Sequence, residues 1–242
     1  MDQRNEQLKE LLESEKQEFL AVMSHELRTP MTGVKGYLSM VLDGDAGPIS
    51  DDVKEYVSEA YVANDRLIRL VDHMMKVVAI QEGNLRFDIK KVDLVQTVEM
   101  LTHDFAEPAK EKNLTIVYEK PDHQIFVSAD PDRLRELLMN LISNAIKFTQ
   151  EGSITISHRN INHHLEVVDI KDTGIGIDRQ QQSRIFEIFS KANLSLSGQE
   201  KGTGLGLFLA NKFAEAQDGK IWLDSSEVGV GSTFSAAFEK VD

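Results

Sequence analysis

The stretch LAVMSHELRTPMTGVKGYLSMV (residues 20–41) decides how the first third of this chain is read. Leu20, Ser24, Leu27, Met31, Val34, Leu38 and Val41 recur at alternating four- and three-residue steps. That is the period of a helix with one packing seam. Within it, Ser24-His25-Glu26-Leu27-Arg28-Thr29-Pro30 sets a histidine, an acid and a hydroxyl on about one helical turn, with a proline to break the next turn. His25 directly follows the seam residue Ser24, so it belongs on the seam's flank, where a partner can reach it. An imidazole near its ordinary pKa is neutral and nucleophilic at neutral pH. Glu26 can take its proton or orient the ring. Thr29, four residues on, shares the helix face and can hold a water for hydrolysis. Pro30 donates no hydrogen bond to the Glu26 carbonyl, which predicts a weak, bendable point. The other six histidines, His73, His103, His123, His158, His163 and His164, lack this context and read as surface residues. No pair has zinc-ligand spacing.

Working outward, Leu8, Leu12, Glu15, Phe19 and Val22 keep a seam shifted by one residue, a phase change that alters coiled-coil winding. Asp43-Gly44-Asp45-Ala46-Gly47-Pro48 ends the first helix. Ser50 or Asp51 caps a second, with a stripe of Val53, Val57, Ala60, Asn64, Leu67, Val71, Met74 and Val78. Two such helices joined by a short loop make an antiparallel hairpin. Alone, the hairpin leaves much of both seams wet, so an all-α four-helix bundle built by a homodimer is expected. Asn64 in the seam would fix register at some cost in stability. Gln81-Glu82-Gly83-Asn84 closes the second helix. The expected domains are a signal-transmitting coiled-coil helix over 1–18, a dimerisation hairpin over 19–82 and a second domain over 83–242.

Composition narrows the function. The 242 residues are 41% hydrophobic and 28% charged, ordinary globular material. A net charge of −13 argues against a nucleic-acid partner or an anionic membrane surface. The absence of cysteine removes disulfides, thiolate metal sites and a cysteine nucleophile, and suits a reducing cytoplasm. No apolar run approaches the roughly 20 residues needed to span a bilayer. The chain starts inside a helical pattern, which predicts a cytoplasmic fragment of a larger sensor.

After residue 83 strands alternate with helices. Strands are predicted over 86–94, 114–118, 124–127, 153–158, 165–170, 220–224 and 232–238. Helices are predicted over 95–112, 131–148, 180–189 and 205–217, with Pro131 suited to a first turn. Helices on one face of a mixed sheet give an α+β sandwich.

This second domain carries the makings of a nucleotide site. Asn140 and Asn144 are four apart on the helix over 131–148, so their amides project together. Amide oxygens are hard ligands suited to Mg²⁺. Lys147, a turn further, can meet a phosphate, and Glu136 extends the same face. Asp172-Thr173-Gly174-Ile175-Gly176-Ile177 follows an apolar strand. A carboxylate at a strand end can accept a hydrogen bond from an adenine amino group, and the glycines let backbone approach the base. Gly202-Thr203-Gly204-Leu205-Gly206-Leu207 precedes a helix, and its N–H groups form an anion site. The polar stretch 190–201 can close as a lid, with Lys191 or Lys201 at the phosphates. A histidine nucleophile and a nucleotide site in one chain point to phosphoryl transfer from ATP to His25.

Together these motifs resemble a sensor histidine kinase of the HisKA type with a GHKL-fold (Bergerat) ATP-binding domain. Ser24–Pro30 matches the family's H box and Asn140–Phe148 its N box. Asp172–Gly176 matches the first glycine box, Ile185–Phe189 the F box and Gly202–Leu207 the second glycine box. Met31, where Leu is common, and Glu200-Lys201, where small residues are common, are the departures. The resemblance implies phosphorylation of His25 with Glu26 as base, and Mg²⁺ on Asn144 with Asn140 near the phosphates. Asp172 would read adenine, and Phe148, Ile177, Phe189 and Lys191 would join the binding set. It also implies a homodimer, phosphotransfer to an aspartate of a response regulator receiver domain, and a phosphatase activity involving Thr29.

Overall fold

A computed structural model describes residues 22–24, 26–162, 164–187 and 204–241. The chain divides into two compact units, Met1–Leu85 and Arg86–Asp242.

In the first unit, helix α1 (residues 26–42) and helix α2 (Asp51–Gln81) form an antiparallel hairpin. Helix α1 is continuous through Pro30 rather than broken there. Ties on either side of the proline offset the lost N–H. Arg28 pairs with Asp72, and the Asn64 amide donates to the Met31 carbonyl at 2.8 Å. Lys35 pairs with Asp65 at 2.5 Å, and Thr32 Oγ1 donates to the Arg28 carbonyl at 2.8 Å. Helix α2 is capped by Ser50, whose hydroxyl accepts from the Val53 N–H at 3.4 Å. The packing seam is only half covered. Ser24, Asn64, Val71 and Val78 are buried, whereas Leu27, Val34, Val53 and Leu67 stay 43–51% exposed. The phase-shifted frame over 8–19 lies outside the described residues.

The second unit is a seven-stranded mixed sheet with helices on one face. Its strands are β1 (Lys90–Asp93), β2 (Leu114–Tyr118), β3 (Phe126–Ala129), β4 (Gly152–Ile161), β5 (Leu165–Asp172), β6 (Lys220–Glu227) and β7 (Gly231–Val241). The order is β1-β3-β7-β5-β4-β2, with β6 also on β7; among the described residues only β2–β4 is parallel. Ile154, Ile156, Ile170 and Phe238 line the helix side and are 0–1% exposed. Tyr118 extends from that side to the Val95 carbonyl of helix α3 (Leu94–Asp104). The other face carries a polar cluster. Arg159 binds Asp169 at 2.6 Å and Asp224 at 3.2 Å and lies 5.6 Å over the Trp222 ring, whose Nε1 donates to Asp224.

The expected strand over 86–94 is only β1, because the Asp88 N–H goes to the Asp130 carboxylate instead of a ladder. The expected helix over 95–112 is two helices, α3 and α4 (Ala106–Glu111), parted at Phe105. Pro108 has no N–H for the Asp104 carbonyl, so the first helix stops there. Strand β3 sits two residues later than the predicted 124–127.

His158 is a further correction. Alternation along β4 turns it to the helix side, where its side chain is only 4% exposed. Its Nε2 meets the Tyr118 hydroxyl at 2.9 Å, and burial pushes its pKa down to about 4.

Helix α5 (Pro131–Phe148) positions the site. Leu134, Leu137, Leu138, Leu141, Ile142, Ala145 and Ile146 form its buried stripe, each large side chain contributing about 2 kcal/mol of apolar burial. This stripe fixes the helix rotation and turns Glu136, Asn140, Asn144 and Lys147 away from the core. Helix α7 (Gly206–Glu215) buries Leu209, Ala210, Phe213 and Ala214.

Candidate functional site

Two glycine-bearing segments and one face of α5 meet within the second unit. Asp172 ends β5 and is 5% exposed. Its Oδ1 accepts from the Gly174 N–H at 2.9 Å and the Ser232 N–H at 3.2 Å. Burial pushes the carboxyl above its ordinary pKa, and the two N–H donors only partly oppose this. Both bonds end on the same oxygen, which leaves Oδ2 for an incoming donor.

The loop after Asp172 is held by backbone on both sides. Ile175 donates to the Phe148 carbonyl at 3.2 Å, and Gly229 donates to the Ile175 carbonyl at 2.9 Å. The Ile177 N–H reaches Ser226 Oγ at 2.8 Å. Glycine is required here on two counts. A Cβ at Gly174 would lie 2.4 Å from the Phe148 carbonyl oxygen, and Gly176 has φ +67° against the Glu227 carbonyl. Ile177 is buried beside them.

Asn140 donates from Nδ2 to the Glu136 carbonyl at 3.0 Å, which turns Oδ1 outward. A Cβ at Gly206 would sit 2.9 Å from that Oδ1. The start of α7 therefore abuts Asn140. Gly204 enters this turn with φ +73°. Among the described residues, the Asn144 amide has no hydrogen-bond partner. It is a half-buried hard oxygen donor one turn from Asn140, which fits a Mg²⁺ ligand. The Lys147 ammonium lies 4.8 Å over the Phe148 ring. No cluster of three His, Cys, Asp or Glu residues among the described residues could hold a metal.

The structure thus brings Asn140, Leu205, Gly206 and Leu207 together, and it brings Phe148, Asp172, Gly174, Gly176 and Ile177 together. In the hairpin, Glu26 and Thr29 are exposed on α1. His25, Phe189, Lys191, Gly202 and Thr203 lie outside the described residues. The expected helix over 180–189 is a single turn, α6 (Arg179–Gln182), capped by Asp178 and followed by turns. Ile185 is buried there, and Phe186 meets Phe234 edge-on at 6.4 Å.

One wall of the Asp172 loop was not foreseen: the turn between β6 and β7. Gly231 takes φ +129° so that its backbone can lie against the Asp172 carbonyl, where a Cβ would come within 2.0 Å. The triplet Gly229-Val230-Gly231 is the sequence signal for this turn.

Two family models match this chain. Residues 15–83 match the His Kinase A (phospho-acceptor) domain. Residues 129–241 match the histidine kinase-, DNA gyrase B- and HSP90-like ATPase. Sensor histidine kinase WalK of Bacillus subtilis is 31% identical over 228 residues, 93% of this chain and 37% of WalK. The signal transduction histidine-protein kinase BarA of Escherichia coli is 36% identical, over 90% of this chain and 24% of BarA. The chain therefore spans little more than a third of WalK and a quarter of BarA. The crystal structure of full-length ShkA in complex with AMPPNP superposes with a TM-score of 0.74 at 26% identity, over 93% of this chain and 46% of ShkA. No helix among the described residues is long and apolar enough to cross a membrane. A helical phospho-acceptor hairpin followed by an ATPase-type mixed sheet, in this order and with these relatives, places the chain in the histidine kinase family.

Proposed function

We propose that this chain autophosphorylates His25 from ATP and passes the phosphoryl group to an aspartate on a response regulator receiver domain. The supporting observation is the buried Asp172 carboxylate, with one oxygen tied to backbone and the other left for an adenine amino group. Gly174, Gly176, Phe148 and Ile177 would flank the base. Asn140, Lys147 and the turn Gly204–Leu207 would receive the phosphates, together with Lys191, Gly202 and Thr203. Phe189 would join the residues that bind the nucleotide.

Asn144 would hold Mg²⁺, which supplies charge neutralisation on the phosphates. A ring nitrogen of His25 would attack the γ-phosphorus. The bond to the β–γ bridging oxygen breaks, ADP leaves, and Glu26 accepts the ring proton. The chain's remaining contribution is positioning. The half-covered seam of the hairpin supports a homodimer, in which a second copy would bury Leu27, Val34, Val53 and Leu67.

The test is labelling with γ-phosphate-labelled ATP. His25→Gln is expected to abolish base-stable, acid-labile label while ATP still binds. Undiminished acid-labile label in that variant would exclude His25 as acceptor.

A further inference from the structure

We infer that Gln217 is a positioning residue for nucleotide binding: it sets how far α7 extends along α5, and so where Gly206 meets Asn140. The inference rests on the nucleotide reading of Asn140 and Gly206.

Helices α5 and α7 lie antiparallel, and three pairings mark their register. At the far end, Gln217 Oε1 accepts from the Asp130 N–H at 2.6 Å. One turn in, the Arg133 guanidinium lies 5.4 Å from the Phe213 ring. At the near end, Gly206 abuts Asn140. At roughly 1.5 Å per residue, Asp130 to Asn140 spans about 15 Å and Gly206 to Gln217, just past the end of α7, about 16 Å. With both helices this stiff, fixing one end of the pair fixes the other.

The far end is built to hold. Gln217 is 5% exposed and Asp130 is 7% exposed. Gln217 Nε2 donates to the Phe213 carbonyl at 2.7 Å, so both ends of its amide are used and its rotamer is set. Asp130 is itself anchored. Its Oδ1 accepts from the Asp132 and Arg133 N–H groups, and its Oδ2 accepts from the Asp88 N–H at 2.8 Å. Burial pushes this carboxyl up, but the three N–H donors and the Arg133 charge outweigh that and hold it below its ordinary pKa. Gln217 thus joins the end of α7 to the capped, buried start of α5. The near end has little slack, since there is no room for even a Cβ on Gly206 beside Asn140 Oδ1. A slide or tilt of α7 at Gln217 would either drive its first turn into Asn140 or open a gap there.

The experiment compares ATP affinity, by calorimetry on the full chain, in wild type, Gln217→Met, Asn144→Ala and Val167→Ala. Gln217→Met keeps the side-chain volume and removes both amide bonds. Val167, fully buried in the sheet, serves as a purely structural control. Gln217→Met is expected to raise the Kd for ATP about tenfold in protein that remains folded by circular dichroism. Val167→Ala is expected to lower the melting temperature without moving Kd. If Gln217→Met leaves Kd unchanged, or Val167→Ala raises it as much, Gln217 is structural only and the inference fails. Unchanged affinity in Asn144→Ala would instead overturn the nucleotide site itself. Should Gln217→Met not fold, Gln217→Asn, shorter by one methylene, takes its place with the same two outcomes.

Discussion

Asp172 meets two opposed demands. Burial makes its charge costly, and a base-reading carboxylate accepts a hydrogen bond more strongly when it is charged. Its folded-state pKa lies above the unfolded value, so ionising it costs stability above that raised pKa. Protonation on acidification relieves the cost. Nucleotide affinity runs the other way, because protonation weakens the acceptor. Affinity for ATP should therefore fall as the pH drops through the raised pKa. Asp172→Asn should bind weakly with no such titration. A Kd series against pH decides this, and a flat wild-type profile down to the usual aspartate pKa would remove Asp172 from base recognition. At this scale Asn140, Asp172 and the glycines stood out as candidates because their residue types carry the chemistry. Gln217 and the inward turn of His158 were not, since each depends on a neighbour many residues away.

Caps separate the helices by how firmly they are held. Ser50 offers α2 one long bond at 3.4 Å on the surface. Asp130 gives α5 two bonds at 3.0 Å and a third to Asp88, all on a buried carboxylate. Asp130→Ala should destabilise its unit by about 2–3 kcal/mol, and Ser50→Ala its hairpin by about 0.5 kcal/mol. Denaturant unfolding measures both, and equal losses would mean that burial of the cap does not matter. Element boundaries were readable where a local signal stood at each end. The helix over 131–148 matches because Asp130 and Pro131 start it and Thr149 stops it. The predicted helix over 95–112 failed at Phe105 because the apolar period ran on past Pro108, which was the one residue that forbade it. The strand expected from residue 86 failed because a carboxylate forty-two residues away captured the Asp88 N–H.

For the molecule as a whole, the two units differ in how completely they bury their apolar residues. The mixed sheet carries its own core, whereas the hairpin leaves half of its seam in water. A heptad period cannot say which seam residues face the second helix of one chain and which await another chain, so this division was invisible in the sequence. Leu67, 51% exposed in mid-seam, is the residue to charge. Leu67→Glu should convert a dimer to a monomer in sedimentation equilibrium and leave the thermal unfolding of the ATPase unit unchanged. A variant that sediments as wild type would refute this seam as the dimer contact.

The polar cluster on the open face of the sheet has a practical consequence. The chain's one tryptophan, Trp222, lies under the Arg159 guanidinium with its indole N–H on Asp224. Selective excitation of that indole observes the ATPase unit alone, because the hairpin contains no tryptophan. The protein thus carries its own spectroscopic label, and the melting of one unit can be followed by light while the other remains silent.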